Sequence, residues 1–581
     1  MTRLFNDPTE FADEFIEGFV AANRSTVRAV PGGVVRATAV PDGQVAVIIG
    51  GGSGHYPAFG GLVGQGLAHG AAMGNIFASP SAQQVHSVAK AAEHGGGVLL
   101  TYGNYAGDVL NFDAAQDRLR AEWIACETVL VTDDISSAPA SERGKRRGVA
   151  GDLCVFKIAA AAAERGDDLA EVVRLARAGN ERTRSLGVAF GGCTLPGADG
   201  PLFQVPSGRM AIGLGIHGEP GLSEVPVPTA DGLAELLVGE LLRDLPEGVD
   251  TPSGQRVVPI LNGLGSVKYE ELYVVYRQVG RLLADAGAEV IDPQVGEFCT
   301  SLDMAGASLT LLWLDQELEP LWTAPADTPA FRCGTVAAAA VVDPAEIETD
   351  PAEEIPPATE DSRAAAVIIE SALAAALAVI EDAVADLGRL DAVAGDGDHG
   401  IGMQRGARAG RSAAAAALAA GAGAGTLLTA AADAWADRAG GTSGALWGVT
   451  LRALGERLGD ADPVTGAAVV EAVAAARDGV IGYGGAELGD KTMVDALIPF
   501  VDTLAVAVGE GADLPAAWHR AAEAAVSAAA ATAELLPRKG RARPHAEKSL
   551  GSPDPGAHSF GLIVTAVADV LAGGTAAAAG S

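Results

Sequence analysis

The sequence predicts an α/β N-terminal region of two subdomains, followed by an all-α domain built as a helical barrel or bundle. Strand patterns alternate with helix patterns over residues 1–335, and about eight helical patterns with Gly-rich turns fill the last third. Between them, residues 336–362 are acidic and Pro-bearing, which favours an extended linker over packing. We therefore predict subdomains at about 1–185 and 186–335, and a helical domain at 363–581.

The first subdomain begins with an amphipathic helix pattern over residues 11–22, followed by a buried strand pattern over 44–49. A helix pattern over 81–94 precedes two more strand patterns, over 98–102 and 128–131. This alternation is typical of a sheet with crossover helices. Ligands of such sheets bind at the carboxyl ends of the strands, so the segments that follow the first two strands are candidate binding loops.

A glycine-rich segment, GGGSGH, follows the first strand pattern at residues 50–55. It does not match a dinucleotide-binding or nucleophile-elbow motif, because His55 stands where the last glycine is required. With so few side chains, the segment lets a small ligand approach backbone N–H groups closely. His55 is either a proton carrier or an ordinary loop histidine, and Asp108, after the next strand, is either a base or a helix N-cap.

The second subdomain begins near residue 190, and its strand pattern over 210–216 leads into His217 and a turn with Gly and Pro. We therefore expect His217 to point out of the sheet and to be accessible. Further strand patterns cover 257–261, 289–291 and 308–314, and a helix pattern covers 270–286.

Helical patterns without a convincing strand cover residues 363–387, 404–420, 425–438, 443–458, 464–478, 489–508, 513–533 and 558–573. Four of the turns carry polar clusters, at 391–400, 440–444, 484–493, and 540–542 with 552–556. The turn at 440–444 opens a helix, whose free N–H groups attract phosphate. The turn at 484–493 is a near miss for a Walker A loop, but it follows a helix and Asp490 interrupts the pattern. Together the four turns favour a nucleotide-phosphate site.

The first of these turns, DAVAGDGDHG, contains Asp391, Asp396 and Asp398 in a segment that its glycines allow to bend sharply. Three converging carboxylates repel one another unless a cation lies between them, and oxygen ligands suit Mg²⁺. An acidic surface turn explains the same composition. A Ca²⁺-binding helix-loop-helix is excluded, because one ligand position and the closing glutamate are missing.

The formal net charge of -34 argues against nucleic acid or an anionic membrane as a partner, since both would repel the chain. A metal–nucleotide complex is compatible with this charge, because the metal is positive. The five cysteines are widely spaced and form no Cys-x-x-Cys pair, which is typical of reduced thiols in a cytoplasmic protein. The sequence predicts neither a signal peptide nor a membrane-spanning helix.

Five further motifs occur in order along the chain: NDP at 6–8, FASPS at 77–81, IGLGIHGEPG at 212–221, SLDMAG at 301–306 and DPG at 554–556. In this order they resemble the ATP-dependent dihydroxyacetone kinase family, which joins a ketone-binding domain to a helical nucleotide domain. The resemblance implies a kinase that uses Mg²⁺ and takes its phosphoryl group from ATP. It also implies that the two domains meet, within one chain or across a homodimer.

By this resemblance, His217 adds to the substrate carbonyl as a hemiaminal, so that only a ketone or aldehyde is captured. Asp108 and His55 are implied to form an acid/base pair beside the hydroxyl that attacks the γ-phosphate. Substrate contacts are predicted at Gly52, Ser53, Gly54 and Gly103. The resemblance assigns Mg²⁺ to Asp391, Asp396 and Asp398, and the nucleotide to His399, Thr442, Ser443, Gly484, Met493, Arg541, Asp554, Pro555 and Gly556.

Three positions depart from the family pattern. The family commonly has glutamate after the first histidine, histidine three residues later, and lysine five residues before the catalytic aspartate, where this chain has Tyr56, Phe59 and Gly103. Near the ketone pocket, these changes should alter specificity without abolishing activity. We expect a short-chain ketose as substrate, either dihydroxyacetone or a four-carbon ketose such as erythrulose.

Two other functions stay open at this point. A regulator would bind ketone and nucleotide without catalysis, although a pure binder would not need Asp108. A kinase of another type would take its phosphoryl group from a phosphocarrier protein and keep ADP bound. The fusion of both domains in one chain favours exchangeable ATP over that alternative.

Overall fold

The structure, a computed structural model, describes residues 2–219, 221–342, 355–393, 395, 397–539 and 548–578. It divides into two compact units, Met1–Ile347 and Glu348–Ser581. The first unit is α/β, and all elements in the described part of the second unit are helical. The predicted fold class is therefore confirmed.

The first half of the α/β unit contains α1 (Phe11–Asn23), β1 (Val27–Val30), β2 (Gly33–Arg36), β3 (Ala46–Ser53), β4 (Gly70–Ile76), α2 (Ala82–Ala92), β5 (Val98–Gly103), α3 (Ala106–Ala121), β6 (Cys126–Val131), α4 (Asp152–Arg165) and α5 (Leu169–Glu181). Its strands form one sheet in the order β1-β2-β4-β3-β5-β6. The four strands from β4 to β6 in this order are parallel. Their carboxyl ends meet at one edge, as expected for a ligand-binding edge.

Two features of this half differ from the sequence interpretation. The residues Gly50 to Ser53 continue β3 instead of forming a loop, because they pair with β4. Helices α4 and α5 were not predicted. Helix α4 has no polar face to reveal its period, since twelve of its residues, from Asp152 to Ala163, are buried.

The second half contains β7 (Thr183–Gly191), β8 (Arg209–Ile212), β9 (Ser223–Pro226), α6 (Ala230–Leu241), β10 (Arg256–Gly263), α7 (Tyr269–Asp285), β11 (Glu289–Val290), β12 (Gln294–Gly296), β13 (Ala305–Leu314), α8 (Leu318–Trp322), β14 (Ala326–Asp327) and β15 (Arg332–Cys333). Seven strands form a sheet in the order β11-β10-β13-β7-β8-β9, with β12 also paired to β10. The strand predicted over 210–216 is wrong beyond Ile212. Gly213, with a φ of +76°, turns the chain there, and His217 lies in the turn that follows.

The helical unit contains α9 (Glu360–Asp391), α10 (His399–Ala419), α11 (Ala424–Ala439), α12 (Gly441–Leu458), α13 (Gly466–Gly484), α14 (Val494–Gly509), α15 (Leu514–Ala531) and α16 (Pro555–Ala578). Each helix packs against the next, and α16 packs against α9, so the helices close a ring. The prediction of a helix from residue 489 is wrong at its start, because residues 485–493 form a loop before α14.

An apolar pocket of about 260 Å³ lies inside the ring, and the aromatic side chains among its lining residues are Trp435, Trp447, Phe500, Trp518 and Phe560. Helices α9 and α16 are long and apolar enough to cross a membrane by length and composition alone. Both contribute apolar side chains to this pocket, so their composition also suits packing inside the ring. All five cysteines are free, in agreement with the predicted reduced thiols.

Candidate functional site

Two histidines from distant parts of the first unit meet at the carboxyl edge of the first sheet. His55 follows β3, His217 follows β8, and their Nε2 atoms are 3.0 Å apart. Phe77 stacks on His55 with ring centroids 4.9 Å apart, and Tyr105 packs edge-on against His217 at 4.8 Å. His217 is only 8% exposed. The expectation of an accessible His217 is therefore wrong, because aromatic rings enclose it.

Hydrogen bonds determine which nitrogen of each imidazole carries a proton. His55 Nδ1 lies 2.7 Å from the carbonyl oxygen of Thr300, which can only accept, so Nδ1 is a donor. His217 Nδ1 lies 3.1 Å from Glu219 Oε1 and donates to that carboxylate. A neutral imidazole with Nδ1–H has a lone pair on Nε2. The contact between the two Nε2 atoms therefore requires one shared proton, and the pair combines a nucleophile with an acid.

Glu219 connects His217 to a network of buried and partly buried charges. Its Oε2 accepts from the backbone N–H of His217 at 3.0 Å and lies 3.9 Å from Arg147 Nη1. Arg147 also donates to Asp134 at 2.7 Å. Burial alone would lower the pKa of Arg147, but Asp134 and Glu219 raise it above its usual value. The sequence does not point to these three residues, although Glu219 stands two positions after His217 in the motif IGLGIHGEPG.

The glycine-rich segment is packed too closely for side chains. A Cβ atom at Gly52 would lie 2.7 Å from a backbone nitrogen, and one at Gly54 would lie 2.8 Å from the ring of Phe77. Gly54 also has a φ of +103°, which favours glycine. Ser53 donates its hydroxyl to the carbonyl oxygen of Gly74 at 2.6 Å. A ligand at this segment would therefore meet main-chain atoms.

Asp108 lies in the first turn of α3, and Tyr105 is the N-cap residue of that helix. The interpretation of Asp108 as the N-cap is therefore wrong. Gly103 ends β5, and a Cβ atom there would lie 3.1 Å from the ring of Tyr105, which also contacts His217. Gly103 thus lies beside the aromatic side chain that packs on His217.

Tyr56 and Phe59 pack against other aromatic rings. The ring of Tyr56 packs against Phe15 and Phe19 of α1 with centroids 5.9 Å away from each, and Tyr56 is 39% exposed. Phe59 is buried in the core, 6.3 Å from the ring of Phe156. Gly103 is the departure beside Tyr105, the ring that packs on His217. The effect of all three departures on specificity stays a prediction.

A second set of predicted residues meets at helix ends in the second unit. His399 begins α10, is buried, and contacts Ser559 Oγ at 3.0 Å and Ser443 Oγ at 3.2 Å through its two ring nitrogens. These serines lie near the starts of α16 and α12. Burial lowers the pKa of His399, although Asp391 acts to raise it. His399 therefore joins three of the polar turns that the sequence predicts to form one site.

The acidic turn joins α9 to α10. Asp391 is the last residue of α9, and its Oδ2 accepts from the backbone N–H groups of Gly397 at 2.9 Å and His399 at 3.3 Å. Burial and the charge of Asp391 raise the pKa of Asp398, the N-cap residue of α10, to about 7. Asp396 lies outside the described residues. No three described His, Cys, Asp or Glu side chains form a group that could hold a metal ion.

The described carboxylates nevertheless fit a divalent cation. Burial, with the charges of Asp495 and Asp391, raises the pKa of Asp554 to about 7. Asp391 therefore disfavours the charged forms of both Asp398 and Asp554, and a cation would remove that penalty. A Cβ atom at Gly395 would lie 2.2 Å from Asp391 Oδ1, so a larger residue would obstruct this carboxylate. Oxygen ligands suit Mg²⁺, which Asp391 and Asp398 would hold.

The DPG motif lies at the start of α16. Asp554 Oδ1 accepts from the backbone N–H of Ala557 at 2.7 Å, and Pro555 is the first helical residue. A Cβ atom at Gly556 would lie 3.5 Å from Met493 Cβ. The structure therefore brings Met493 and this motif together, although they are far apart in the sequence.

The remaining predicted nucleotide residues lie around α12 and α13. Gly440, with a φ of +62°, turns the chain into α12, whose first turn carries the exposed Thr442. Gly484 ends α13, and a Cβ atom there would lie 3.5 Å from Leu446 of α12. Arg541 lies outside the described residues.

Lys491 does not act as a Walker A lysine. Its Nζ donates to the carbonyl oxygen of Ser549 at 2.7 Å, the hydroxyl of Ser549 at 3.1 Å and the carbonyl oxygen of Leu535 at 3.2 Å. Burial lowers its pKa, although Asp554 acts to raise it. Lys491 therefore links the loop before α14 to the segment that precedes α16 through hydrogen bonds. This structural role agrees with the prediction that residues 484–493 are not a P-loop.

Comparison with known proteins places the chain among kinases. Two family models match, a Dak1 domain over residues 17–330 and a DAK2 domain over residues 393–569. The chain is 60% identical to an L-erythrulose kinase of Pectobacterium atrosepticum, covering 98% of this chain and 97% of that protein. It is 54% identical to a D-erythrulose kinase of Mycolicibacterium smegmatis, and the match covers 98% of this chain and 99% of that protein. The structure of a dihydroxyacetone kinase from C. freundii in complex with AMP-PNP and Mg²⁺ is 31% identical, with a TM-score of 0.52 over 98% of this chain and 99% of that one.

Proposed function

The chain belongs to the dihydroxyacetone kinase family, and from that premise we propose that it transfers the γ-phosphoryl group of ATP to erythrulose. It is an ATP-dependent kinase of short-chain ketoses, with Mg²⁺ as its cofactor. The erythrulose kinases that resemble the chain over nearly its whole length support a four-carbon substrate. The contact between His55 and His217 carries the proposal of ketone capture, because it sets a nucleophilic nitrogen beside a proton donor.

In the proposed capture step, His217 Nε2 attacks the carbonyl carbon of the ketose. As the C–N bond forms, the π electrons of the carbonyl move to its oxygen, which takes the shared proton from His55 Nε2. The resulting hemiaminal has a positively charged imidazolium, and Glu219 stabilises this charge through its hydrogen bond with Nδ1. Glycerol has no carbonyl carbon and cannot form this bond.

In the proposed transfer step, Asp108 accepts the proton of the primary hydroxyl whose oxygen attacks the γ-phosphorus of ATP. The bond from that phosphorus to the bridging oxygen breaks, and ADP leaves. Phosphoryl transfer requires mainly that the site orients the reacting groups and neutralises charge on the phosphates. Mg²⁺, when bound, would supply this charge neutralisation. His399, Ser443 and the start of α12 orient the nucleotide phosphates. Reversal of the hemiaminal then releases the ketose phosphate.

We also propose that the protein is a cytoplasmic homodimer. Its free cysteines suit a reducing compartment. The ketose residues and the nucleotide residues lie in different compact units, so either the units of one chain or those of two chains must cooperate in transfer.

A substrate panel tests the proposed function. ADP formation is measured with dihydroxyacetone, D-erythrulose, L-erythrulose and glycerol in the presence of Mg²⁺ and ATP. We expect kcat/KM to be highest for one erythrulose enantiomer and no turnover of glycerol. A strong preference for dihydroxyacetone would reject the four-carbon proposal. Stabilisation by ketose and nucleotide without ADP formation would instead indicate a regulator.

We expect Mg²⁺ to stabilise the ATP-bound protein less at pH 6 than at pH 8. The pKa of Asp398 is about 7 in the folded protein, above the ordinary aspartate pKa of about 4. Between about pH 4 and pH 7, the folded protein therefore keeps a proton on Asp398 that the unfolded chain has lost. The free energy of unfolding without metal therefore falls as pH rises from about 4 to about 7. At pH 6, Mg²⁺ must also displace this proton from Asp398 before it binds, which weakens its stabilising effect.

The measurement is the melting temperature with ATP, with and without Mg²⁺ at a concentration that saturates the nucleotide at both pH values. Asp398→Asn should abolish the Mg²⁺-dependent increase at both pH values. Asp386→Asn, which changes an exposed carboxylate of α9, should keep it. An increase of equal size at pH 6 and pH 8 in the unmodified protein would contradict the expectation.

A further inference from the structure

Two residues beside the glycine-rich segment have a backbone conformation that bulky side chains disfavour. Phe77 has a φ of +55° and Leu302 a φ of +50°, and they are two of the five described residues other than glycine with a positive φ. A bulky residue pays a steric cost in this left-handed region, and such strain is concentrated at functional sites. The two residues belong to the motifs FASPS and SLDMAG, to which the proposed mechanism assigns no role.

Both residues bond to the backbone that leads into His55. The backbone N–H of Phe77 donates to the carbonyl oxygen of Ser53 at 2.9 Å. The backbone N–H of Leu302 donates to the carbonyl oxygen of Gly54 at 2.8 Å. A Cβ atom at Gly54 would lie 2.8 Å from the ring of Phe77 and 3.5 Å from Leu302 Cγ. The two left-handed residues therefore enclose the glycine that precedes the histidine.

The ring of Phe77 also lies on one face of the His55 imidazole. The two ring centroids are 4.9 Å apart, and the ring planes are inclined by only 19°. The hydrogen bond between His55 Nδ1 and the carbonyl oxygen of Thr300 holds one end of the imidazole, but a single hydrogen bond does not fix the tilt of the ring. Stacking on Phe77 restricts that tilt, because aromatic rings have preferred packing geometries.

The tilt of the His55 ring determines where its second nitrogen lies. His55 Nε2 is 3.0 Å from Nε2 of His217, and the planes of the two imidazoles are inclined by 88°. The ring of Phe77 is likewise at 88° to that of His217, with centroids 5.4 Å apart. A hydrogen bond weakens steeply when its angle departs from linearity, so the contact between the two Nε2 atoms depends on the plane of His55. Phe77, which is buried, is in contact with both imidazoles.

We propose that Phe77 is a positioning residue for ketose capture. Its ring sets the plane of the His55 imidazole, so that the proton shared with His217 is delivered to the carbonyl oxygen of the ketose. Phe77 acts through His55 and forms no bond with the substrate. The inference rests on the proposed function, since His55 is the acid of the proposed capture step. It gives the strained residue of the FASPS motif a role in the reaction.

The test replaces Phe77 with residues that pay the same left-handed backbone cost, so that differences between variants report on the side chain. Phe77→Leu keeps an apolar side chain but has no flat face, whereas Phe77→Tyr keeps the ring. We expect kcat/KM for erythrulose to fall roughly tenfold in Phe77→Leu and less than about threefold in Phe77→Tyr, in line with the contribution of one aromatic contact.

Two further measurements separate positioning from folding. With saturating ketose labelled with ¹³C at the carbonyl, a smaller fraction of the bound ketose should be the tetrahedral adduct in Phe77→Leu than in the unmodified protein. Stabilisation by Mg²⁺–ATP should be unchanged, since the nucleotide residues lie in the other unit. The matched control is Phe331→Leu, which alters a buried ring 6.2 Å from that of Trp322. It should lower the melting temperature without changing kcat/KM.

An unchanged kcat/KM in Phe77→Leu would overturn the inference, and so would equal losses in Phe77→Leu and Phe77→Tyr. If Phe77→Leu does not fold, Phe77→Met replaces it, because the flexible methionine side chain adapts to irregular space. No turnover of any ketose by the unmodified protein would reject the proposed function and this inference with it. An active unmodified protein with an unaffected Phe77→Leu rejects the inference alone, so the two failures are distinguishable.

Discussion

Replacing Asp108 with asparagine should lower kcat for ketose phosphorylation by about 10²–10⁴-fold, the usual loss when a general base is removed. Asparagine has nearly the same shape but cannot accept the hydroxyl proton at neutral pH. His55 and His217 remain in place, so the ketose should still bind. The measurement is the initial rate of ADP formation at saturating ketose and ATP, together with ketose-induced stabilisation.

The matched control for this variant is Asp113→Asn. Asp113 lies on the same helix, α3, and is exposed. Its substitution should leave kcat within about twofold, as is usual for surface positions. Unimpaired turnover by Asp108→Asn would show that another group accepts the proton.

His217→Ala should have the second large effect, on the choice of substrate. Without the nucleophilic Nε2, the ketose is no longer fixed at its carbonyl carbon, and we expect kcat/KM to fall about 10²-fold or more from lost orientation. Discrimination against glycerol should weaken, because it depends on the C–N bond. Stabilisation by Mg²⁺–ATP should change less, since the nucleotide residues lie in the other unit.

His94→Ala is the control for this variant, because His94 is exposed in the segment after α2. It should match the unmodified protein with every substrate. Covalent capture would be contradicted if His217→Ala still phosphorylated erythrulose but showed no turnover of glycerol.

Periodicity and turn chemistry predicted the layers of the fold but not every element. Alternating apolar patterns revealed most parallel strands, and Ala-rich helical patterns revealed the ring of helices. Helix α4 was missed because it is buried on nearly all sides, which removes the polar face that reveals helical periodicity. Strand β8 was predicted too long, because an apolar run does not show that Gly213 turns the chain.

The site was harder to predict because its contacts join distant residues. His55 and His217 are 162 positions apart, and only tertiary structure puts their Nε2 atoms within 3.0 Å. A local pattern also cannot show which way a side chain points, and the contacts of Tyr56 with Phe15 and Phe19 of α1 are visible only in the folded chain.

Carbon NMR of ketose labelled with ¹³C at the carbonyl tests the central claim most directly. In the presence of the full-length protein, erythrulose should show a new resonance for a tetrahedral carbon bonded to nitrogen and oxygen. This resonance should be absent with His217→Ala. A bound ketose whose carbonyl carbon stays trigonal in the unmodified protein would contradict capture by His217.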